Sequence, residues 1–216
     1  MVNQRLQDRR VIMADADVIT IGGAPLSGKT TLAKRLAAQL GYALVAIDDL
    51  GTAVRAVTSP QSHPALHPMA GWDYHDYYLE HPPDTLIRHA AHEHETLWPA
   101  MASVIQAHLQ WAGPIIMEGW QLDPVRVASL HAPQVRACWL LADEALLEAR
   151  LRADEAFYQA AFDVERFIRH YLARSRWVNE RLRRATAHTS SVVIRVGLHD
   201  TVESLVNQCL KGLWPG

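Results

Sequence analysis

Gly23-Ala24-Pro25-Leu26-Ser27-Gly28-Lys29-Thr30 matches the pattern G-x-x-x-x-G-K-[ST] without a mismatch. Glycines in such a stretch let the backbone curl round an anion, with a run of N–H groups pointing inward at it. A lysine at the seventh position can reach the β- and γ-phosphates of a nucleotide, and the hydroxyl at the eighth can sit on Mg²⁺. The flanks agree with this reading. Val18-Ile19-Thr20-Ile21 is a β-branched run of the kind buried in a parallel sheet. Thr31 to Leu40 reads as a helix, stopped by Gly41, and its N-terminus adds a favourable dipole to the anion site.

Outward from this unit the chain alternates strand and helix. Before it, Val11-Ile12-Met13 reads as a short strand after a polar start over residues 1–10. After it, Ala43 to Ile47 is a second strand ending in Asp48-Asp49, with a short helix from Leu50 to about Val57 carrying Arg55. Ile115-Ile116-Met117-Glu118-Gly119 is a third strand, Val135 to Leu141 a fourth and Val192 to Val196 a fifth. Asp123-Pro124, Asp143 and Asp163 read as helix starts, and Thr201 to Leu210 as a final helix. Residues 153–162 fit neither pattern. This rhythm predicts a doubly wound α/β domain, a five-stranded parallel sheet with helices on both faces.

Residues 59–84 break the rhythm. They hold five of the 11 prolines and the cluster Trp72-Asp73-Tyr74-His75-Asp76-Tyr77-Tyr78. Asp84 is placed to cap the helix that follows, whose apolar spacing runs to about Trp111; Pro99 should kink or divide it. Residues 59–111 are therefore an insertion, a candidate substrate-binding element with Trp72, Tyr74, His75 and Tyr78 as candidate pocket residues. The same cluster can instead be the insertion's own small core. Seven histidines lie between His63 and His94, open to substrate contact, metal binding or plain exposure.

Composition sets limits. The 216 residues carry a net charge of −2, which gives no broad nucleic-acid surface and no basic face for an anionic membrane. No apolar run reaches the roughly 18 residues of a membrane span. Cys138 and Cys209 have neither metal spacing nor a disulfide framework, and a cytoplasmic setting is expected. Lysine occurs only at positions 29, 34 and 211. Neither Lys34 nor Lys211 has an aspartate two residues later, so the usual guanine-reading motif is missing. Cys138 to Glu144 superficially provides the apolar run ending in Asp-Glu of a motor ATPase, but Asp143 reads better as a helix cap.

GAPLSGKTT, the strand-end Asp48-Asp49, the strand IIMEG, the arginine-rich segment after Leu147 and VGLHDTVESLV together resemble the small-molecule kinases of the nucleoside-monophosphate-kinase-like P-loop group. LWPAMASVI followed by a strand ending in Glu-Gly makes the chain similar to 2-phosphoglycerate-kinase-like proteins within it. The usual Thr-Asp-x-x-Arg after the second strand is here Asp48-Asp49-Leu50-Gly51, with Arg55 further on. The resemblance implies a three-layer P-loop fold, an arginine-rich lid over about 150–185, and γ-phosphoryl transfer from ATP with Mg²⁺ to a small-molecule hydroxyl or phosphate. The alternative is a nucleotide-binding regulatory ATPase without such an acceptor. A monomer or homodimer is expected.

The candidate residues follow from motif and place. Gly23, Ala24, Pro25, Leu26, Ser27, Gly28, Lys29, Thr30 and Thr31 would hold the phosphates, with Arg150 stacking on adenine or clamping phosphate. Lys29, Asp48 or Asp49, and Glu118 are the candidate catalytic groups; Thr30 and Glu118 are the candidate Mg²⁺ partners. Arg55, Trp72, Tyr74, His75 and Arg169 are candidate acceptor contacts, and Arg174 and Arg176 are further arginines that could reach the acceptor or the γ-phosphate. By resemblance alone, the loop 197–200 passes near the adenine.

Overall fold

A computed structural model describes residues 17–189 and 191–215. The expected strand at Val11–Met13 lies outside the described residues. At the centre is β1 (Val18–Gly23), buried at every position. β2 (Ala43–Ala46), β3 (Ile115–Gly119), β4 (Val135–Ala142) and β5 (Val192–Val196) complete one parallel sheet in the order β2-β3-β1-β4-β5. Ile19 pairs with Ile116 on one side and Arg136 on the other. With both neighbours in place β1 has no free edge and no solvated face, and a β-branched, uncharged strand is what such a position requires.

α1 (Lys29–Leu40) and α9 (Val202–Leu213) pack together on one face of the sheet. The other is covered by α4 (Pro83–Gln110) and α8 (Val164–Thr186). α2 (Ile47–Ala56), α3 (Tyr74–Glu80), α5 (Pro124–Ala128), α6 (Glu144–Ala153) and the short α7 (Glu155–Tyr158) fill the rest. The result is the expected α/β P-loop fold. The insertion has no core of its own. Leu66, Tyr78, Leu86, Leu97 and Ile105 pack in the same apolar cluster as Ile19, Leu32 and Trp139 of the sheet layer.

Four local expectations are corrected. α2 begins at Ile47, directly after β2, so Asp48 and Asp49 lie in its first turn rather than in a loop; two carboxylates there meet the positive end of the helix dipole. α4 runs unbroken through Pro99, because Pro99 and Glu95 (the residue whose carbonyl loses its partner) are both exposed and water can satisfy the freed group. Its N-cap is Pro82, and Asp84 sits inside the first turn without capping. Asp143 occupies the N-cap position of α6 but makes no capping bond, whereas Asp123 caps by accepting from the Val125 and Arg126 N–H groups and Asp163 by accepting from that of Arg166.

Gly22 and Gly119 let the layers close. A Cβ at Gly22 would meet the Trp139 ring at 2.2 Å, and one at Gly119 would meet the Ile47 Cβ at 2.7 Å. The close approach at Gly119 brings the end of β3 against the start of α2, and with it Glu118 and Gln121 against Asp48.

Candidate functional site

The loop from Gly23 to Gly28 is bent at two left-handed positions, one at a glycine, which adopts it freely, and one at a leucine, where it is costly. Gly28 has φ +95°, at the N-cap of α1, and Leu26 has φ 69°. Ser27 N–H donates to the Ala24 carbonyl at 3.1 Å, closing the turn. The Ser27 side chain is fully buried, and a Cβ at Gly23 would lie 2.5 Å from its Oγ. Arg150, at the end of α6, donates from Nη1 to the Leu26 carbonyl at 2.7 Å and lies over Gly28. A cavity of about 400 Å³ opens from this loop, lined by Leu26, Gly28, Lys29, Thr30, Thr31, Arg150, Asp200 and Val202 among others. The loop 197–200 is thus at this cavity, with Asp200 accepting from the Gly197 N–H at 2.9 Å. A curled loop, the α1 N-terminus, Lys29 and Arg150 are gathered round this cavity, an arrangement suited to an anion.

Glu118, the last polar residue of β3, is 3% exposed. Its Oε1 accepts from the Thr30 hydroxyl at 3.0 Å, while its Oε2 has no hydrogen-bond partner among the described residues. Burial pushes its carboxyl up, against the pull of the Lys29 ammonium and the Thr30 hydroxyl. Burial likewise lowers Lys29, against the raising effect of Glu118 and Asp48. A hydroxyl and a carboxylate oxygen without a partner, side by side at the phosphate end of the loop, fit a hard, oxygen-seeking cation such as Mg²⁺. No group of three or more His, Cys, Asp or Glu among the described residues is placed to hold a metal by itself.

The Asp143-Glu144 pair is not at this place. Asp143 and Glu144 line a separate cavity with Arg176, Asn179 and Arg195, and Glu144 is ion-paired with Arg176. The strand-end carboxylate facing the Lys-Thr of the P-loop is Glu118.

A second cavity, of about 610 Å³, shares Leu26 and Lys29 with the first as lining residues. Its other walls are Asp48 and Arg55 of α2, residues 66–70, Tyr74 and Tyr78 of α3, Glu93 of α4, Trp120 and Gln121 after β3, and Tyr171 and Arg174 of α8. Asp48 accepts from the Gln121 amide at 2.7 Å through Oδ1. Arg55 is bound to Glu93 at 2.9 Å. Burial raises the Glu93 carboxyl, opposed by Arg55. The Arg174 guanidinium lies over three rings, 4.5 Å from the Trp120 centroid and 5.0 Å from those of Tyr78 and Tyr171. It has no ion-pair partner among the described residues, and its Nε has no hydrogen-bond partner. Burial pushes the phenols of Tyr74, Tyr78 and Tyr171 up, Tyr171 to about 12, so they face the cavity neutral.

The sequence candidates therefore separate. Lys29, Asp48, Arg55 and Tyr74 line the second cavity; Trp72, His75 and Arg169 do not. Trp72 is 45% exposed and packs its edge on His81. His75 is turned away, with Nε2 at 3.1 Å from the Phe157 carbonyl and its ring against Phe167. Arg169 lies on the exposed side of α8, and Asp49, next to Asp48, is exposed outside the cavity. Part of the arginine-rich segment is engaged on the surface, with Arg152 on Glu148 and Glu165, and Arg183 and Arg184 on Glu180. The histidines scatter: His67 pairs with Thr58, His89 with the Tyr77 hydroxyl, and His94 is buried. Trp120, Gln121, Tyr171 and the site role of Glu93 were not foreseen. Only Trp120-Gln121 left a signal, by directly following the strand end Glu118-Gly119.

The loop that carries Trp120 and Gln121 is braced from behind. Arg181 donates to the Leu122 carbonyl at 3.2 Å, to the Trp120 carbonyl at 3.5 Å and to His94 Nδ1 at 3.1 Å. Because arginine can only donate, His94 must accept at Nδ1 and carry its proton on Nε2. The His94 ring meets Trp120 edge-to-face at 4.3 Å. Burial, with the nearby charges of Arg181 and Arg174, holds His94 well below its usual value, so it is neutral near pH 7.

No helix among the described residues is long and apolar enough to cross a membrane. No curated protein sequence matches the chain. Among solved structures, the fold is similar to a sugar kinase from Janibacter sp. HTCC2649 in unliganded form, at 19% identity and a TM-score of 0.55 over 92% of this chain and 94% of that one. It is also similar to a gluconokinase from Sinorhizobium meliloti 1021, at 14% identity and a TM-score of 0.50 over 91% and 90%. At these identities the likeness is one of fold. The AAA domain family matches residues 18–176, from the first residue of β1 through the P-loop and the lining of the second cavity to the middle of α8, and the chain belongs to that family.

Proposed function

We propose that the protein is an ATP- and Mg²⁺-dependent phosphotransferase that moves the γ-phosphoryl group to a hydroxyl of a small molecule. One observation carries this reading: Lys29 lines both the P-loop cavity and the cavity holding Asp48. A hydrolase that uses only water has no need of a second chamber of this size on the far side of the P-loop lysine.

The loop N–H groups and Lys29 hold the nucleotide phosphates, with Arg150 beside them. Thr30 and Glu118 would hold Mg²⁺, which when bound offsets negative charge on the phosphate oxygens. Gln121 ties down one oxygen of Asp48 and leaves the other for the acceptor hydroxyl. That hydroxyl gives its proton to Asp48, its oxygen bonds to the γ-phosphorus, and the bond from phosphorus to the β,γ-bridging oxygen breaks, its electron pair leaving with ADP. Arg174 faces the transferred group across the cavity and stabilises charge there. The acceptor-binding groups are Asp48, Arg55, Tyr74, Glu93 and Gln121.

The test is ADP formation by the purified chain with a broad panel of hydroxyl-bearing metabolites. At least one should accelerate ADP release well above the acceptor-free rate. Asp48→Asn should lower kcat by about 10²- to 10⁴-fold while nucleotide affinity stays within a few-fold. ATP hydrolysis that no acceptor accelerates, and that Asp48→Asn leaves unchanged, would establish the regulatory ATPase instead.

A further inference from the structure

We infer that the acceptor carries a negative charge of its own, a carboxylate or a phosphate ester, and that this group seats on Arg174; the inference rests on the phosphotransfer reading for calling the ligand of the second cavity an acceptor. One charge in that cavity is left unanswered. Three cations, Lys29, Arg55 and Arg174, line it with two carboxylates, Asp48 and Glu93. Arg55 is paired with Glu93 at 2.9 Å. Lys29 has the opposite charges of Glu118 and Asp48 near it. Arg174 has no carboxylate within ion-pair distance among the described residues. Glu93 is near enough for its charge to bear on Arg174, but its bond is to Arg55. The phenols of Tyr74, Tyr78 and Tyr171 are held protonated and supply no counter-charge.

The place of Arg174 decides what a ligand must bring. Its guanidinium lies over the rings of Trp120, Tyr78 and Tyr171, and the same three rings are walls of the cavity. Whatever fills the cavity therefore lies against this cation. Ring faces attract a guanidinium but leave its N–H donors unoccupied. Arg174 is only partly buried, so water shares in solvating it while the cavity is open to solvent. A ligand that fills the cavity displaces that water. A neutral ligand would leave a cation enclosed by aromatic walls without a counter-charge, and that is costly. A carboxylate or phosphate offers two oxygens spaced to match the guanidinium fork and meets both needs at once. The two carboxylates of the wall are each tied down, Asp48 by the Gln121 amide at 2.7 Å and Glu93 by Arg55. A guanidinium has five N–H donors, so Arg174 can hold the acceptor's anion and still face the transferred phosphoryl group. The two roles separate when ADP is bound, because no γ-phosphate is then present.

Ligand-observed NMR on the full chain, loaded with ADP and Mg²⁺ so that no γ-phosphate competes for Arg174, tests this directly. The probes are neutral polyols beside their charged forms: glycerol with glycerate and glycerol 3-phosphate, glucose with gluconate, glucose 6-phosphate and glucosamine, and the same for other stereoisomers. At least one carboxylate or phosphate form should bind tighter than its neutral parent by about tenfold or more, and the two anion arms tell which group is meant. Arg174→Met keeps an apolar chain against the rings and should bring that ratio close to one. General loosening of the fold would weaken both forms alike and leave the ratio standing. ADP affinity on the same sample shows that the nucleotide site is formed. Arg174→Lys keeps the charge but not the fork and should retain part of the margin. Three results overturn the inference: a neutral parent that binds as tightly as its anions, no anionic binder at all, or a margin that survives Arg174→Met. A role for Arg174 toward the γ-phosphate alone would give the first of these. The wild-type series decides the matter even if neither variant folds. ADP formation separates the two proposals. An anion that binds through Arg174 but is never phosphorylated sinks the phosphotransfer reading and leaves the charged ligand standing. Phosphorylation of a neutral acceptor in preference to its charged forms does the reverse.

Discussion

Replacing Arg181 with methionine should uncouple the loop after β3 from the body of the protein. The side chain makes two well-formed charged hydrogen bonds, to the Leu122 carbonyl at 3.2 Å and to His94 Nδ1 at 3.1 Å, and a third at the limit of bonding, 3.5 Å from the Trp120 carbonyl. Charged hydrogen bonds contribute about 1.5–3 kcal/mol each in mutational series. Methionine fills much of the same space against Trp177 and releases a cation that burial disfavours, which offsets part of the loss. The net cost is on the order of 3 kcal/mol, with His94 left buried and lacking its donor. In a chain of 216 residues, each kcal/mol moves Tm by about 2–4 °C, so the expected fall is roughly 6–12 °C. Urea unfolding should show a lower midpoint at unchanged slope. Because Trp120 and Gln121 ride on this loop, kcat in the phosphotransfer assay should drop by about tenfold to a hundredfold while nucleotide affinity holds. A stability change below about 0.5 kcal/mol, the range of ordinary surface substitutions, would refute the bracing role.

His94 and Gly119 give two further tests. His94 is neutral in the fold and takes up a proton in the unfolded chain below its usual value of 6.5; its folded value is depressed, so its contribution to stability is complete above that pH and is lost as pH falls toward the folded value. His94→Gln keeps an acceptor for Arg181 and does not titrate. The stability of the wild type relative to this variant should therefore be flat above pH 6.5 and decline below it by up to about 1.4 kcal/mol per pH unit, and parallel curves would rule the buried neutral histidine out. Gly119→Ala puts a methyl 2.7 Å from the Ile47 Cβ and 2.6 Å from Gln121 Oε1. Overpacking there should cost about 1–3 kcal/mol and displace the Asp48–Gln121 pair, so Tm and kcat should fall together; a variant with wild-type values of both would show that the β3–α2 contact has slack.

The sequence alone determined the frame. A P-loop between a buried strand and a helix is a local pattern, written in consecutive residues, and so are the alternation of strand and helix and the caps at Asp123 and Asp163. Parallel order then leaves few topologies, and Asp48, just beyond β2, and Glu118, at the end of β3, are marked for the ligand edge by their place in the sequence. The tertiary structure decided which of several chemically equal residues share a cavity. Asp48 and Asp49 are the same residue type in adjacent positions, yet one helical step of 100° sends only Asp48 to the cavity. Arg169, Arg174 and Arg176 lie on one helix, and its rotation takes Arg174 inward beneath three aromatic rings while Arg169 stays in solvent. Glu93 and Arg55, 38 positions apart, and Gln121 and Asp48, 73 apart, are joined only because α4 and the β3 loop pack against α2. Contacts of that span depend on the packing of whole elements and leave no periodicity in the chain, whereas the phosphate loop is built from its own neighbours and can be read as it stands.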